Sequence, residues 1–359
     1  MRRVAVVAPN YAPVVGGVET VVTHVARALV ARGCTVDVWT HRRPDLAAIE
    51  TADGVTVRRF AATPSARYPL STALWSHTQR HARDYDVVHA HSYHSTAALG
   101  VALRRLPVPV IVTPHYHGVG HTAAARLMHH GYRPLGARLL AHADAVVAVS
   151  AAEEALLRND FPAIAAKTAV VPNGVDAAAL AAAEPWPDAP PTLLVAGRLE
   201  PYKRVDRVLA AFDATTVAGR LVVLGDGPDR ARVERLASAA RRTADVTFLG
   251  RVPDGDLLRW LRTARGVVSL SAHEAFGLTA AEGVAAGAVA VLSDIPAHRE
   301  VASMLGPAAM VVDADDTAAV TRTLDEAMRT ANAGPRTAVR SWDDVAADYL
   351  ALYERVVST

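Results

Sequence analysis

The sequence predicts an α/β protein built from two doubly wound parallel sheets. Short, nearly continuous apolar runs alternate with longer amphipathic stretches throughout, the pattern of parallel strands covered on both faces. At 359 residues the chain is too long for one ordinary core, so two domains are the default. A proline-dense stretch, AAAEPWPDAPP at Ala181–Pro191, separates two such sets of runs.

In chain order the first set of strands reads VAVVA, TVDVWT, VTVRRF, DVVHA, VPVIVT, DAVVAVS and AVVPNG, and the second PTLLVAG, GRLVVLG, DVTFLG, GVVSLS, AVAVLS and AAMVVD. The expected division is an N-terminal domain over 1–184, a C-terminal domain over 185–340 and a closing helix over 341–359. That helix, SWDDVAADYLALYERVV, carries Asp343 and Asp344 in its first turn, where carboxylates suit the helix dipole, and is expected to cross back onto the N-terminal domain. Doubly wound sheets bind ligands outside the carboxyl ends of their strands, so two facing sheets would share one cleft.

No segment reaches the uninterrupted apolar length of a membrane span. The start, MRRVAVVAPN, is basic then apolar, but its apolar run is short and PNYAPVVGG follows, which fits a buried strand and a loop rather than a signal peptide. The single cysteine, Cys34, excludes an intramolecular disulfide framework, and a cytoplasmic protein is expected. Met1–Glu184 holds 18 Lys/Arg against 13 Asp/Glu, too slight an excess for general nucleic-acid binding.

Several strand ends carry residues suited to one ligand. After the first strand, Gly16 and Gly17 in PNYAPVVGGVETVV let backbone approach a ligand closely, although the spacing is not G-x-G-x-x-G. VTPHYHG sets His115 and His117 beyond a buried strand, and HAHSYHS does the same with His89, His91 and His94. These histidines suggest a zinc site, yet no H-E-x-x-H or cysteine pair accompanies them, and no metal is expected. Arg198 and Lys203, in the loop of VAGRLEPYKRVDRVL, suit a diphosphate. Gly225 in VVLGDGPDR reads as a tight turn at another strand end, and Arg251 and Val252 in FLGRVPDGDL fall within reach of a bound base.

HEAFGLTAAE sets Glu274 and Glu282 either side of an apolar run. On one continuous helix, residues eight apart lie about 12 Å apart along the axis, too far to act on one small atom. Gly277 breaks the run, placing Glu274 in a loop, Glu282 on the first turns of a helix, and open helix N-terminal amides, which suit phosphate, between them.

Together these motifs resemble glycosyltransferase family 4, whose E-x(7)-E pattern is matched by Glu274 to Glu282. GGVE at Gly16–Glu19, TPHYHG around His115, DAVVAVS, PNGVD, GRLEPYKRVD, LGDGP and FLGRV follow in the family's order. The resemblance implies a GT-B fold, two Rossmann-like domains facing across a cleft with a C-terminal crossover helix. It also implies retaining, metal-independent transfer from a nucleoside-diphosphate sugar, with no cofactor. It matches Arg198 and Lys203 to the cations on the diphosphate, Glu282 to the ribose contact and Glu274 to the contact near the sugar hydroxyls. The amides of Phe276, Gly277, Leu278 and Thr279 would surround sugar and phosphates, His115 would lie near the sugar's reacting side, and Gly17 and Gly225 would join the donor contacts.

Acceptor contacts are expected from loops of the first domain, among them Gly16, His91 and Tyr116. The basic region 121–142, with Arg126, His129, His130, Arg133 and Arg138, reads as a solvated helix face with an apolar side packed inward, the alternative being contact with a membrane surface or a phosphorylated acceptor. The function expected is transfer from a UDP-sugar, or alternatively a GDP-sugar, to a small hydroxylated acceptor. A nucleotide-sugar epimerase, a phosphorylase on the same fold and a non-catalytic binding protein are the rivals.

Overall fold

The computed structural model describes residues 2–64, 69–118, 123–336 and 339–358, without the side chains of 123–130. The chain divides into two compact units, Met1–Asn173 with Trp342–Thr359, and Gly174–Ser341. The division precedes the proline-rich stretch, which corrects the expected boundary at 184. Leu180 is buried in a helix that packs on the second unit's helices, and Val175 bridges to Ser341, so this segment belongs to the second unit.

The first unit comprises β1 (Arg3–Val7), α1 (Gly17–Ala31), β2 (Thr35–His41), β3 (Ile49–Ala52), β4 (Val55–Phe60), α2 (Thr72–His81), β5 (Val87–His91), β6 (Val110–Thr113), α3 (Ala123–His142), β7 (Ala145–Ala148), α4 (Ala151–Asp160) and β8 (Thr168–Val170). Its sheet runs β3-β4-β2-β1-β5-β6-β7-β8, parallel except for β3, which pairs antiparallel with β4 at the edge. The strand order turns back between β1 and β5, so the loops after them flank a topological switch point. Trp39, Leu74, Val88, Tyr93, Val112 and Leu139 lie in the core on one face of this sheet.

The second unit comprises α5 (Ala177–Ala182), β9 (Thr192–Ala196), α6 (Val205–Ala214), β10 (Arg220–Leu224), α7 (Arg230–Ser238), β11 (Val246–Gly250), α8 (Asp254–Thr263), β12 (Gly266–Ser269), α9 (Leu278–Ala285), β13 (Val289–Ser293), α10 (Pro296–Leu305), β14 (Ala309–Val312) and α11 (Thr317–Arg329). Its sheet runs β11-β10-β9-β12-β13-β14, all parallel. This is a doubly wound order whose switch point lies between β9 and β12. Leu193, Val208, Phe212, Val223, Leu324 and Met328 fill its core.

The last helix, α12 (Trp342–Val357), belongs to the first unit and packs along α1. The Trp342 ring stacks on His24 with centroids 5.0 Å apart, and Arg32 holds Asp343 through two bonds of 2.7 and 2.8 Å. Among the described residues no helix is long and apolar enough to cross a membrane.

Candidate functional site

The second unit brings Lys203 and Glu274 together at its switch point. Lys203 ends a short 3-10 turn, Pro201–Lys203, after β9, and Glu274 lies in the loop after β12. The Ala272 amide donates to the Tyr202 carbonyl over 2.8 Å, which fastens one loop to the other. Lys203 Nζ then lies 2.5 Å from Glu274 Oε1, with both side chains largely buried. Burial alone pushes the Lys203 pKa down and the Glu274 pKa up. Their charges and mutual hydrogen bond outweigh it, so the lysine ends above its ordinary value and the glutamate below.

Beyond Glu274 the chain enters α9 through Gly277, whose φ of 108° lies in the left-handed region that favours glycine. No side chain caps this helix. The amides of Leu278 and Thr279 precede its first intrahelical bonds. Phe276 is buried beneath the turn.

Glu282 lies on α9 and is half-buried. Burial, then the nearby charge of Asp254, pushes its pKa up to about 7. The two glutamates therefore differ: one is held ionised by a cation, the other strains towards its neutral form near physiological pH.

Arg198 is exposed and paired with Glu200 at 3.0 Å in its own loop. Arg251 is exposed and Val252 half-buried after β11, two strands from the switch point. Gly225 makes a close backbone approach: a Cβ there would stand 1.9 Å from the Gly197 carbonyl oxygen. Packing of the strand ends accounts for that glycine.

In the first unit, the loop after β1 is fixed by buried Arg59, which donates to the Ala12 carbonyl over 2.9 Å and to Glu50. A Cβ on Gly16 would meet the Glu19 carboxylate at 2.3 Å, whereas one on Gly17 would meet nothing within 4 Å. The space over Gly17 is free for a ligand.

His115, after β6, has a φ of 49°, unusual for a non-glycine residue. Its Nε2 lies 3.2 Å from His91 Nδ1. Burial lowers His115 to about 4 and places His91 well below the ordinary histidine range, so both rings are neutral near pH 7. His89 is likewise enclosed, between Tyr353 at 2.7 Å and Thr113 at 2.8 Å.

Two acceptor expectations are corrected. The His91 side chain is fully buried at the end of β5, behind His115, and presents no surface to an acceptor. Tyr116 is also buried: its hydroxyl donates to Asp160 over 2.6 Å, its amide donates to the Glu153 carboxylate, and its ring packs on Tyr93 and Phe161. His91 is the last residue of β5 and only Tyr116 lies in a loop, and strand-end position foretold the inward turn of neither side chain.

Among the described residues no group of three or more His, Cys, Asp or Glu side chains is gathered that could hold a metal ion. In the basic region, Arg133 donates to the Asp160 carbonyl and Arg138 to the carbonyls of Ala102 and Leu103. Both anchor α3 to its neighbours. The side chains of Arg126, His129 and His130 lie outside the described residues.

Sequence reasoning missed Ser269, Ser271, Ser293 and His298, which form a polar line behind Glu274. Their only sequence signal is serine spaced through an otherwise apolar strand and one histidine in PAHRE.

Comparison with known proteins adds to this geometry. The family model described as Glycosyltransferase Family 4 matches residues 15–179, and that described as Glycosyl transferases group 1 matches 176–337. The chain is 32% identical over 327 residues to the GDP-mannose:cellobiosyl-diphosphopolyprenol alpha-mannosyltransferase of Xanthomonas oryzae pv. oryzae, covering 86% of this chain and 83% of that one. It is 31% identical to the D-inositol 3-phosphate glycosyltransferase of Acidothermus cellulolyticus, covering 91% and 84%. Among solved structures it resembles sucrose-phosphate synthase from Thermosynechococcus elongatus, with a TM-score of 0.77 at 20% identity over the whole of both chains. It also resembles Anabaena HepE in complex with UDP, with a TM-score of 0.69 at 16% identity over 99% and 96%. At these identities the structural likeness is one of fold.

Proposed function

We propose, since the chain belongs to glycosyltransferase family 4 and has its GT-B fold, that it is a retaining enzyme acting on a nucleoside-diphosphate sugar without a metal ion. The observation that carries this reading is the Lys203–Glu274 pair at the switch point, beside the uncapped N-terminus of α9. A UDP-sugar is the favoured donor, and the GDP-mannose in a relative's name gives a GDP-sugar as the second reading. The acceptor is a small hydroxylated molecule.

In this reading the diphosphate lies against Lys203, Arg198 and the amides of Leu278 and Thr279, the sugar against Glu274 and the ribose against Glu282. The bond from the anomeric carbon to the diphosphate oxygen breaks while the acceptor oxygen bonds to the same face. The acceptor proton passes to the departing phosphate oxygen. The growing negative charge on the leaving group is what the cations and amides stabilise. Neutral His115 serves as a hydrogen-bonding partner rather than an acid.

Lys203, Arg198 and the helix N-terminus take the place of a divalent ion, so turnover is expected to survive excess EDTA. Nucleoside diphosphate release, followed with EDTA and then with added Mg²⁺ or Mn²⁺, checks this. Full loss on chelation, restored by either ion, would show that charge stabilisation has been misassigned.

The raised Glu282 pKa gives a second expectation. A carboxylate accepts from both ribose hydroxyls only when ionised, so donor affinity should rise by about tenfold from pH 6 to pH 8 and then level. Between the ordinary glutamate range and about 7 the folded chain retains a proton that the unfolded chain releases, so this group subtracts stability as pH rises through that window. Glu282→Gln should therefore flatten the pH dependence of donor affinity and leave the protein at least as stable at pH 8. Calorimetric titration with an intact nucleotide sugar measures the first effect, and a slope unchanged in the variant would exclude Glu282 as its source.

A further inference from the structure

The loop that carries His115 is held from outside by a buried glutamate that the reaction above does not use. Glu153 lies in the first turn of α4 and is fully buried. Its own amide donates to the Oγ of Ser150, the N-cap residue, over 2.9 Å. Serine followed three residues later by glutamate is the spacing of a capping box, in which the carboxylate reaches back to the amide of that serine. Here the carboxylate reaches further. One oxygen accepts from the Val149 amide over 2.7 Å just after β7, and the other accepts from the Tyr116 amide in the loop after β6. Both oxygens thus meet N–H donors, which suits the ionised form, and among the described residues no cation pairs with it.

The Tyr116 amide belongs to the peptide that leaves His115. The peptide that enters His115 is pinned as well, because the Pro114 carbonyl accepts from the Tyr93 amide over 2.7 Å. A residue's φ and ψ are rotations of its two flanking peptide planes about one Cα, so fixing both planes fixes both angles. His115 is thereby held at a φ of 49°, in the left-handed region that a histidine seldom occupies. Such a conformation persists only where the surroundings over-determine it. The bond from the Tyr116 hydroxyl to Asp160 fixes the tyrosine ring, which turns about its own side-chain bonds, and leaves the peptide plane to Glu153. Burial pushes the Glu153 pKa up to about 8, against the pull of the two amides.

We infer that Glu153 is a positioning residue for glycosyl transfer: through the Tyr116 amide it sets the turn at His115, and so the place of the His115 ring beside the donor sugar. The inference rests on the reading of His115 as a partner of the reacting sugar. Packing alone would be met by an apolar side chain of similar volume, whereas holding two amides at once requires two acceptor atoms.

Two measurements test it. His115–Tyr116 is the single His-Tyr pair in the sequence, so the native chain labelled with carbonyl-¹³C histidine and amide-¹⁵N tyrosine gives one correlation peak for that peptide. Its amide proton should resonate far downfield and exchange slowly, as a bond to a buried carboxylate requires. A random-coil position with rapid exchange would overturn the inference. The second measurement is a double-mutant cycle with His115→Ala, read at about pH 9 as nucleoside diphosphate release from UDP-glucose and GDP-mannose. Leucine at 153 keeps the bulk and removes both acceptors. Glu153→Leu should lower kcat by about tenfold with the donor KM within about threefold, move the Tyr116 amide upfield, and add almost nothing in the His115→Ala background. Glutamine keeps one acceptor, so Glu153→Gln should lose about threefold, and it carries the cycle if the leucine variant does not fold. Native kcat in the folded variants, or a full multiplicative loss in the His115→Ala background, overturns the positioning role. Native turnover in His115→Ala, with the Tyr116 amide still moved by Glu153→Leu, would instead overturn the reading of His115.

Discussion

Lys203→Ala is expected to lower kcat/KM by roughly 30-fold or more, because removing one partner of a desolvated charge pair costs about 2–5 kcal/mol, at about 1.4 kcal/mol per tenfold. Two losses combine. The departing diphosphate loses its enclosed cation, and Glu274 loses the charge that keeps it ionised. Burial then acts on Glu274 unopposed and moves its pKa upward. The variant should therefore regain activity as pH rises through that raised pKa, whereas the native enzyme shows no such rise from Glu274. Arg198→Ala should reduce activity through the diphosphate alone, since Arg198 is solvent-exposed and pairs with Glu200 rather than Glu274. Steady-state release of nucleoside diphosphate across pH checks both variants. A Lys203→Ala kcat/KM within threefold of native would remove Lys203 from charge stabilisation.

Glu274→Gln should depress kcat by about 100-fold while donor affinity stays within about threefold. Glutamine preserves shape and an acceptor oxygen for Lys203, but not the charge beside the reacting sugar. Glu282→Gln should do the reverse, weakening donor binding by about tenfold at pH 8 with little change in kcat, since a ribose contact is nearly the same in ground and transition states. Single-turnover rates and calorimetric affinities separate the two. Equal effects of both substitutions on KM alone would erase the division of roles.

Much of this was legible in the sequence because it depends on local pattern. Buried parallel strands need near-continuous apolar runs, and GRLVVLG or AVAVLS can hardly be read otherwise. Gly277 marked the break that puts Glu274 in a loop and Glu282 on a helix. Strand β3 went unseen because Ile49–Ala52 is a four-residue edge, half of it polar and nearly all of it exposed, with no burial signal. The unit boundary was missed because proline density marks an irregular segment without showing which core claims the helix before it. The inward turn of His91 and Tyr116, and the cluster of Ser269, Ser271, Ser293 and His298, depend on contacts between residues far apart in the chain. Such contacts leave no periodic trace.

The most direct test of metal-independent, retaining transfer is time-resolved ¹H NMR of the native chain with a panel of α-linked UDP- and GDP-sugars, in excess EDTA and without acceptor, where water takes the acceptor's place. Nucleoside diphosphate should appear together with free sugar that is first α-configured, before mutarotation mixes the anomers. Sugar that is first β-configured, an epimerised donor, or no release until Mg²⁺ or Mn²⁺ is added would contradict the account.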